Sequence, residues 1–271
     1  MARWASLIER RRDENPVLLV DTGDFLNDQK HKRFDISNRY LLEGMKRMDY
    51  DAIVVGERDI HCGYSKLLDA AKKYDLPLLT TNIFDKREST LLASPYIIKH
   101  VGGKWTLFGR RGGVKIGFFG VVLPYFVHSI DKEITRYYDI RNTKLTALEM
   151  VSRLRQEGCN VIVALSHQGW TNSLELAREV PGIDVVINAH RSHETTHSET
   201  VDKSLVVDNG DKRRSLTEIR ISYKDGRLLT EALDVGIAAR KLKRHPHMME
   251  LERLYENEMR REDLGRFLGG L

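Results

Sequence analysis

Four short segments of the sequence combine carboxylates or imidazoles with small residues, and each follows an apolar run. They are Asp21-Thr22-Gly23-Asp24, Gly56-Glu57-Arg58-Asp59, Ser166-His167-Gln168-Gly169 and Asn188-Ala189-His190-Arg191-Ser192-His193. Carboxylate oxygens and imidazole nitrogens together are ligands that suit zinc, manganese or iron. The four segments therefore predict metal binding at one shared site.

Each of these residues also has an ordinary structural interpretation. A single Asp after a strand is usually a helix cap or a turn former, and a single His there is more often a hydrogen-bonded surface group than a ligand. Such residues recur here after four separate apolar runs. That recurrence favours the shared site over four unrelated caps.

The apolar runs are predicted to be strands that are buried on both faces, because they lack alternation. They cover residues 17–21, 52–55, 161–165 and 185–187, with further strands expected at 78–81, 96–100 and 114–122. Helical periodicity predicts helices at residues 2–14, 36–48, 65–74, 145–156 and 173–180. This alternation indicates an α/β layered fold with a mixed sheet. In such sheets, functional loops follow the carboxyl ends of the strands.

The last third of the chain has a different pattern. Residues 216–223 and 228–235 are predicted to form a hairpin around Lys224-Asp225-Gly226-Arg227, because Gly tolerates the positive φ of tight turns. Residues 248–267 are dense in charge and amphipathic, and they either pack back or serve a partner. The expected division is a domain over 1–238 and a charged helical tail over 239–271.

Composition excludes several classes of protein. With 41% hydrophobic and 31% charged residues, the chain is globular rather than disordered or fibrous. The net charge is +5, and the basic runs are scattered and lack interleaved aromatic residues. No nucleic-acid-binding module is therefore expected. Two cysteines, Cys62 and Cys159, cannot build a disulfide framework. No apolar run reaches the roughly 18 residues of a membrane span.

The N-terminal residues carry charge without an apolar h-region, so no signal peptide is predicted. The chain as encoded is expected in the cytoplasm. If its true N-terminus lies upstream, it is expected in the periplasm or outside the cell.

Taken in order, the motifs resemble those of the calcineurin-like metallophosphoesterases, in particular the 5′-nucleotidase branch. The resemblance covers residues 2–235 and rests on Leu18-Leu19-Val20-Asp21-Thr22-Gly23-Asp24, Val55-Gly56-Glu57-Arg58-Asp59, Leu165-Ser166-His167-Gln168-Gly169 and Ile183-Asp184-Val185-Val186-Ile187-Asn188-Ala189-His190. It implies a four-layer α-β-β-α sandwich with mixed sheets and two metals between them. Those metals hold a phosphate ester and activate water for in-line attack.

The resemblance also implies roles for individual residues. Asp24 matches the carboxylate that bridges both metals, while His167 and His190 match imidazole ligands of the second metal. Glu57 stands where the family normally has an Asn ligand, and it keeps an oxygen donor while adding a negative charge. The metal ligands expected in this chain are therefore Asp24, Glu57, His167 and His190.

The sequence departs from the family pattern at three points. The family opens with an Asp-x-His motif on a strand before the first helix, and this sequence begins at that helix. Arg58 replaces the catalytic His that Asp59 would orient; Arg cannot act as a general acid near neutral pH but can clamp a phosphate. The family's last His falls on Ser192, with His193 one residue later. Arg58 and Asp59 are the expected catalytic residues, and Arg58 and His193 the expected substrate-binding residues.

These features support two hypotheses. The first is a metal-dependent phosphoester hydrolase that resembles 5′-nucleotidases, weakened by the missing motif, with one Mn, Zn or Fe ion in this chain and two in the complete family site. Its substrate would be a small phosphorylated molecule, with nucleotides among the candidates. The alternative is a degenerate member that binds metal or an anion without turnover, in a structural or regulatory role, and uses its C-terminal helix to reach a partner.

Overall fold

The structure, a computed structural model, describes residues 1–27, 34–61, 64–106, 109–125, 132–190, 193–210, 216–224, 227–235 and 241–269. The helices are α1 Ala2–Glu14, α2 Phe34–Arg47, α3 Glu57–His61, α4 Tyr64–Tyr74, α5 Lys132–Tyr137, α6 Thr143–Gln156, α7 Trp170–Glu179 and α8 Pro246–Gly269. The strands are β1 Val20–Asp21, β2 Ala52–Val54, β3 Leu78–Leu79, β4 Ile83–Asp85, β5 Thr90–Leu91, β6 Tyr96–Val101, β7 Lys104–Thr106, β8 Gly109–Arg111, β9 Val114–Val122, β10 Tyr138–Ile140, β11 Val161–His167, β12 Val185–Ala189, β13 His197–Val201, β14 Ser204–Asp208, β15 Thr217–Lys224 and β16 Arg227–Asp234.

Two sheets form the centre of the molecule. The larger is mixed, with strand order β13-β14-β12-β11-β9-β6; its four inner strands are parallel and its two outer strands are antiparallel to their neighbours. The smaller sheet is parallel, with strand order β1-β2-β3. The predicted mixed α/β class is thereby confirmed.

The two sheets pack face to face through a shared apolar core. Ile53 of β2, Leu79 of β3 and Leu165 of β11 belong to one buried cluster. A side chain at Gly120 of β9 would meet Val54 Cγ2 at 2.6 Å. Glycine at this position therefore lets the sheets approach closely.

Helices cover the outer face of each sheet. The opposite faces of β9 and β11 pack under α6 and α7, where Phe119, Ile162, Leu154 and Leu176 share a second buried cluster. On the other side, residues of α2 and α4 pack with the smaller sheet. The result is the expected four-layer α-β-β-α order, and it explains why the central strands are apolar on both faces.

Most predicted elements lie where the sequence indicates, with shifted ends. The helix at 2–14 and the strand at 114–122 keep their predicted bounds. Strand β1 is shorter than predicted and begins at Val20, because the Leu19 amide donates to the Asp51 side chain at 2.9 Å. Several short strands, among them β4, β10, β13 and β14, are not predicted from the sequence.

The predicted hairpin is present as β15 paired with β16 in antiparallel register. The two residues at the tip of its turn, 225 and 226, lie outside the described residues, as do Cys62 and Ser192. Cys159 is a free, buried thiol.

The C-terminal helix α8 packs against α1 and α2. Met248 and Leu251 are buried in a cluster with Ala5 and Ile8 of α1. Tyr40 of α2 donates a hydrogen bond to Glu258 at 2.9 Å. None of the helices in the described ranges is long and apolar enough to cross a membrane.

Candidate metal centre

Four strand ends bring the sequence-predicted ligands together. Asp24 follows β1, Glu57 begins α3 after β2, His167 ends β11 and His190 follows β12. Because the strands within each pair are parallel and the two sheets face each other, their carboxyl ends meet at one edge. One ligand atom from each of the four residues lies within 4.8 Å of the others.

Glu57 lies at the centre of this group, with one carboxylate oxygen toward each imidazole. Its Oε2 is 2.7 Å from His167 Nε2, and its Oε1 is 2.8 Å from His190 Nδ1. Asp24 Oδ2 lies 3.3 Å from the same Nε2 of His167. Glu57 and His167 are buried, whereas Asp24 and His190 are partly exposed. The group is therefore closed at its base and open toward Asp24 and His190.

Two buried atoms in the group lack hydrogen bonds. Glu57 Oε2 and His167 Nε2 have no hydrogen-bond partner in the described part of the chain, although they are close neighbours. His167 Nδ1 lies 2.7 Å from the Thr22 carbonyl oxygen, which can only accept, so Nδ1 carries the hydrogen. That bond directs the other nitrogen, Nε2, into the group, as backbone carbonyls do for histidines that ligate metals. A divalent cation would satisfy both atoms, so the residues fit a metal ion.

The charges of the ligands depend strongly on one another. Burial lowers the pKa of His167, but its contacts with Asp24 and Glu57 outweigh this and raise that pKa to about 10. Burial raises the pKa of Glu57, but its contacts with His167 and His190 shift that pKa well below its usual range. The group thus requires positive charge beside its carboxylates, which either protons or a metal ion can supply.

The backbone at the site is unusual at both partly exposed ligands. Asp24 has φ of 61° and His190 has φ of 63°, in the left-handed region that side chains other than Gly rarely adopt. Such strain concentrates at functional sites. A Cβ at Gly56 would lie 2.6 Å from the Asp24 amide nitrogen, so only glycine lets the loops after β1 and β2 approach this closely.

Asp59 lies beneath the group and ties these two loops together. It is fully buried, and its carboxylate accepts hydrogen bonds from the backbone amides of Asp24 at 2.8 Å, Gly56 at 2.9 Å and Leu26 at 2.9 Å. Burial and the charge of Asp24 raise the pKa of Asp59 to about 8, against the lowering effect of the three amides. Its described hydrogen bonds go to backbone amides, whereas the family resemblance implies that it orients the side chain of residue 58.

Arg58 lies at the exposed mouth of the group. Its backbone amide donates to Asp24 Oδ1 at 2.9 Å, and its Nε lies 3.5 Å from Asp24 Oδ2. The side chain is 61% exposed. Its guanidinium is therefore beside the ligand set and accessible to an anion from solvent.

His193 does not join the four converging residues. Its Nδ1 lies 3.2 Å from Asp208 Oδ2, and its ring packs against Trp170 and His197. Asp208 is not among the site residues predicted from the sequence. The same strand-end pattern could have found it, because Asp208 follows the apolar run Leu205-Val206-Val207.

Comparison with known proteins establishes the family. The profile of the calcineurin-like phosphoesterases matches residues 1–193, so the chain belongs to that family. The trifunctional nucleotide phosphoesterase protein YfkN of Bacillus subtilis is 27% identical over 216 residues, which cover 70% of this chain and 14% of YfkN. A 2′,3′-cyclic-nucleotide 2′-phosphodiesterase/3′-nucleotidase of Haemophilus influenzae is 26% identical over 205 residues, covering 69% of this chain and 31% of that protein. The chain thus spans less than a third of either relative.

Solved structures show the same fold. The calcineurin-like phosphoesterase YfkN from Bacillus subtilis superposes with a TM-score of 0.76 at 22% identity, covering 95% of this chain and 88% of the other. The 5′-nucleotidase precursor from Thermus thermophilus superposes with a TM-score of 0.73 at 23% identity, covering 95% of this chain and 53% of the other. The expected family and its α/β sandwich are confirmed.

Proposed function

We propose that the chain is a metal-dependent phosphoester hydrolase whose ligands Asp24, Glu57, His167 and His190 hold one divalent transition metal, Mn, Zn or Fe. The observation that carries the proposal is the close pair of buried, unsatisfied atoms, Glu57 Oε2 and His167 Nε2, within a group of four converging donors. Unpaired buried polar atoms are costly, and a bound cation removes that cost.

The residues at the site have different proposed roles. A divalent ion bound here would polarise a phosphoryl oxygen and lower the pKa of a coordinated water toward about 7. Thr22 orients His167, while Asp59 holds the loops that present Asp24 and Glu57. Arg58 is the proposed phosphate-binding residue, because its exposed guanidinium can donate two parallel hydrogen bonds to phosphate oxygens.

The proposed substrate is a small phosphate ester of the nucleotide type. Support comes from the relatives, whose names describe nucleotide phosphoesterases and nucleotidases.

The hydrolysis of 4-nitrophenyl phosphate by the 271-residue chain tests the proposal. The protein is stripped with a chelator and reloaded with Mn²⁺, Zn²⁺ or Fe²⁺ before the assay. Activity should require the metal and be abolished by Asp24→Ala or His190→Ala. Matched controls are Glu199→Ala and His247→Ala, which change an exposed carboxylate and an exposed imidazole away from the four ligands.

Two outcomes would contradict the proposal. Activity that survives both ligand substitutions would mean that another site or a contaminant is responsible. Stoichiometric metal binding without hydrolysis of any phosphate ester would instead support the alternative, a family member that binds metal without turnover.

A further inference from the structure

A buried carboxylate outside the metal ligands holds one histidine in a fixed orientation. Asp208, the last residue of β14, is fully buried. Its Oδ2 accepts a hydrogen bond from Asn188 Nδ2 at 2.9 Å and lies 3.2 Å from both the backbone nitrogen and the ring Nδ1 of His193. Its Oδ1 accepts from the Gly210 amide at 2.8 Å. The carboxylate is thus anchored on two sides, and it holds both the backbone and the ring of His193.

The contact with Asp208 distinguishes the two nitrogens of the His193 ring. An ionised carboxylate only accepts, so Nδ1 is the donor toward Asp208, and Nε2 is the nitrogen that can exchange a proton with a ligand. The side chain is 39% exposed. Ring contacts at 4.9 Å with Trp170 and 4.5 Å with His197 further restrict it. A half-exposed imidazole backed by a buried carboxylate is the arrangement that proton-transfer catalysis uses.

His193 lies beside the loops that carry two of the proposed ligands. It follows His190 by three residues, so their Cα atoms are at most about 11 Å apart. Trp170, which contacts its ring, follows His167 by three residues. The Gly169 amide donates to the Ala189 carbonyl at 3.0 Å and joins the two loops directly. The ring is therefore placed at the same edge of the larger sheet as the candidate metal centre.

The proposed reaction needs a proton donor that the metal centre does not provide. A leaving alkoxide must take up a proton, but the four converging side chains are assigned to the metal. Arg58, next to Asp24, stays protonated near neutral pH and cannot release a proton. Asp59 is fully buried and faces backbone amides, so it does not reach a bound ester. A half-exposed imidazole can release a proton, which makes His193 the group to consider.

We propose that His193 donates a proton from Nε2 to the leaving-group oxygen and that Asp208 is its positioning residue; this rests on the hydrolase function proposed above. As the phosphorus–oxygen bond breaks, its electron pair goes to the leaving oxygen, which takes the proton as an alcohol. The ring becomes neutral and keeps its Nδ1 hydrogen bond to Asp208. The attacking water adds hydroxide to phosphorus, and its remaining proton returns to His193 through solvent.

A series of leaving groups tests this assignment in the metal-loaded chain. His193→Gln should lower kcat/KM for a nucleoside 5′-phosphate by about 100-fold or more, because its alkoxide needs general acid catalysis. The loss for 4-nitrophenyl phosphate, whose leaving anion is stable without a proton, should stay below about tenfold. Asp208→Asn should show the same dependence with smaller losses. The matched control His247→Gln, which changes an exposed imidazole away from the four ligands, should alter kcat/KM for neither substrate substantially.

A second measurement does not depend on activity. Long-range ¹H–¹⁵N NMR of the histidine rings in the metal-free protein should show neutral His193 with its hydrogen on Nδ1, and Asp208→Asn should abolish that preference. Equal losses for both esters in His193→Gln, or a hydrogen fixed on Nε2, would overturn the assignment of His193 alone. A wild-type chain that hydrolyses no ester would overturn the hydrolase proposal itself.

Discussion

Glu57 Oε2 and His167 Nε2 lie 2.7 Å apart in a buried position, and no hydrogen bond satisfies either atom within the ranges that the structure describes. The family resemblance of the sequence implies an Asn ligand at the position that Glu57 occupies. With neutral imidazoles, the two carboxylates of the group carry two negative charges, which a divalent ion balances. The carboxylate at position 57 therefore favours a cation more strongly than a carboxamide would.

The first prediction concerns metal stoichiometry and the charge of Glu57. The 271-residue chain should bind about one equivalent of divalent transition metal, because the four donors surround one position. Glu57→Gln should weaken binding at least about tenfold, since it removes a ligand charge that also orients two imidazoles. Elemental analysis and titration calorimetry measure both quantities, with Glu199→Gln as the exposed control. Two equivalents in the wild-type chain would contradict the count.

The second prediction concerns removal of the metal. A ligand that binds only the folded state, at a free concentration of 100 times its Kd, raises the free energy of unfolding by about 2.7 kcal/mol. For a chain of this size, that stabilisation raises Tm by roughly 5 °C. Adding a chelator should reverse the shift in the wild type, whereas Asp24→Ala should show the same Tm with and without metal. A metal-induced shift that persists in Asp24→Ala would place the ion elsewhere.

The third prediction concerns Asp59, whose hydrogen bonds link two loops. Its carboxylate accepts hydrogen bonds from three backbone amides. An Asn side chain has only one acceptor oxygen, and its NH₂ group would face one of those N–H donors. Asp59→Asn should lower the free energy of unfolding by about 1–3 kcal/mol, the cost of an unsatisfied buried donor. Chemical denaturation in chelator at about pH 9, where Asp59 is ionised, measures the loss without interference from metal. The exposed Asp202→Asn is the control, and equal stability of the two variants would refute the role.

The fourth prediction separates phosphate binding by Arg58 from turnover. Arg58→Ala should raise KM for 4-nitrophenyl phosphate by about tenfold, since charged hydrogen bonds to phosphate contribute about 1.5–3 kcal/mol. The effect on kcat should be smaller. The KM of Arg58→Lys should lie between those of the wild type and Arg58→Ala, because Lys keeps the charge but lacks the planar guanidinium. The side chain is 61% exposed, so folding is preserved. A fall in kcat at constant KM would assign Arg58 a different role.

The fifth prediction concerns the docking of α8. Leu251 is buried against α1, so Leu251→Ala should lower the free energy of unfolding by about 2–4 kcal/mol. Leu264 lies on the same helix and is 60% exposed. Leu264→Ala should change stability by less than about 0.5 kcal/mol. Similar, small effects of both substitutions in chemical denaturation would mean that α8 does not dock in solution.

The sequence alone identifies the residues of the candidate site through a local pattern. Asp24, Glu57, His167 and His190 each follow an apolar run, and apolar runs without alternation indicate buried strands. Because parallel strands present their carboxyl ends at one edge, a shared site follows from that pattern without any distance. The family resemblance, which the family profile confirms, rests on the same segments.

Only the tertiary structure decides how these residues meet. The contact between Glu57 and His167 joins two different sheets, and it depends on their close approach where Gly120 faces Val54. Asp59 belongs to a recognisable motif, yet its carboxylate accepts hydrogen bonds from the amides of two loops, one of which carries Asp24 in a left-handed backbone conformation. The pairing of His193 with Asp208 likewise joins a loop to β14, a strand that the sequence patterns do not predict. Local patterns determine which residues follow strands, but distances between residues far apart in the chain depend on how the layers pack, and that packing is a property of the whole fold.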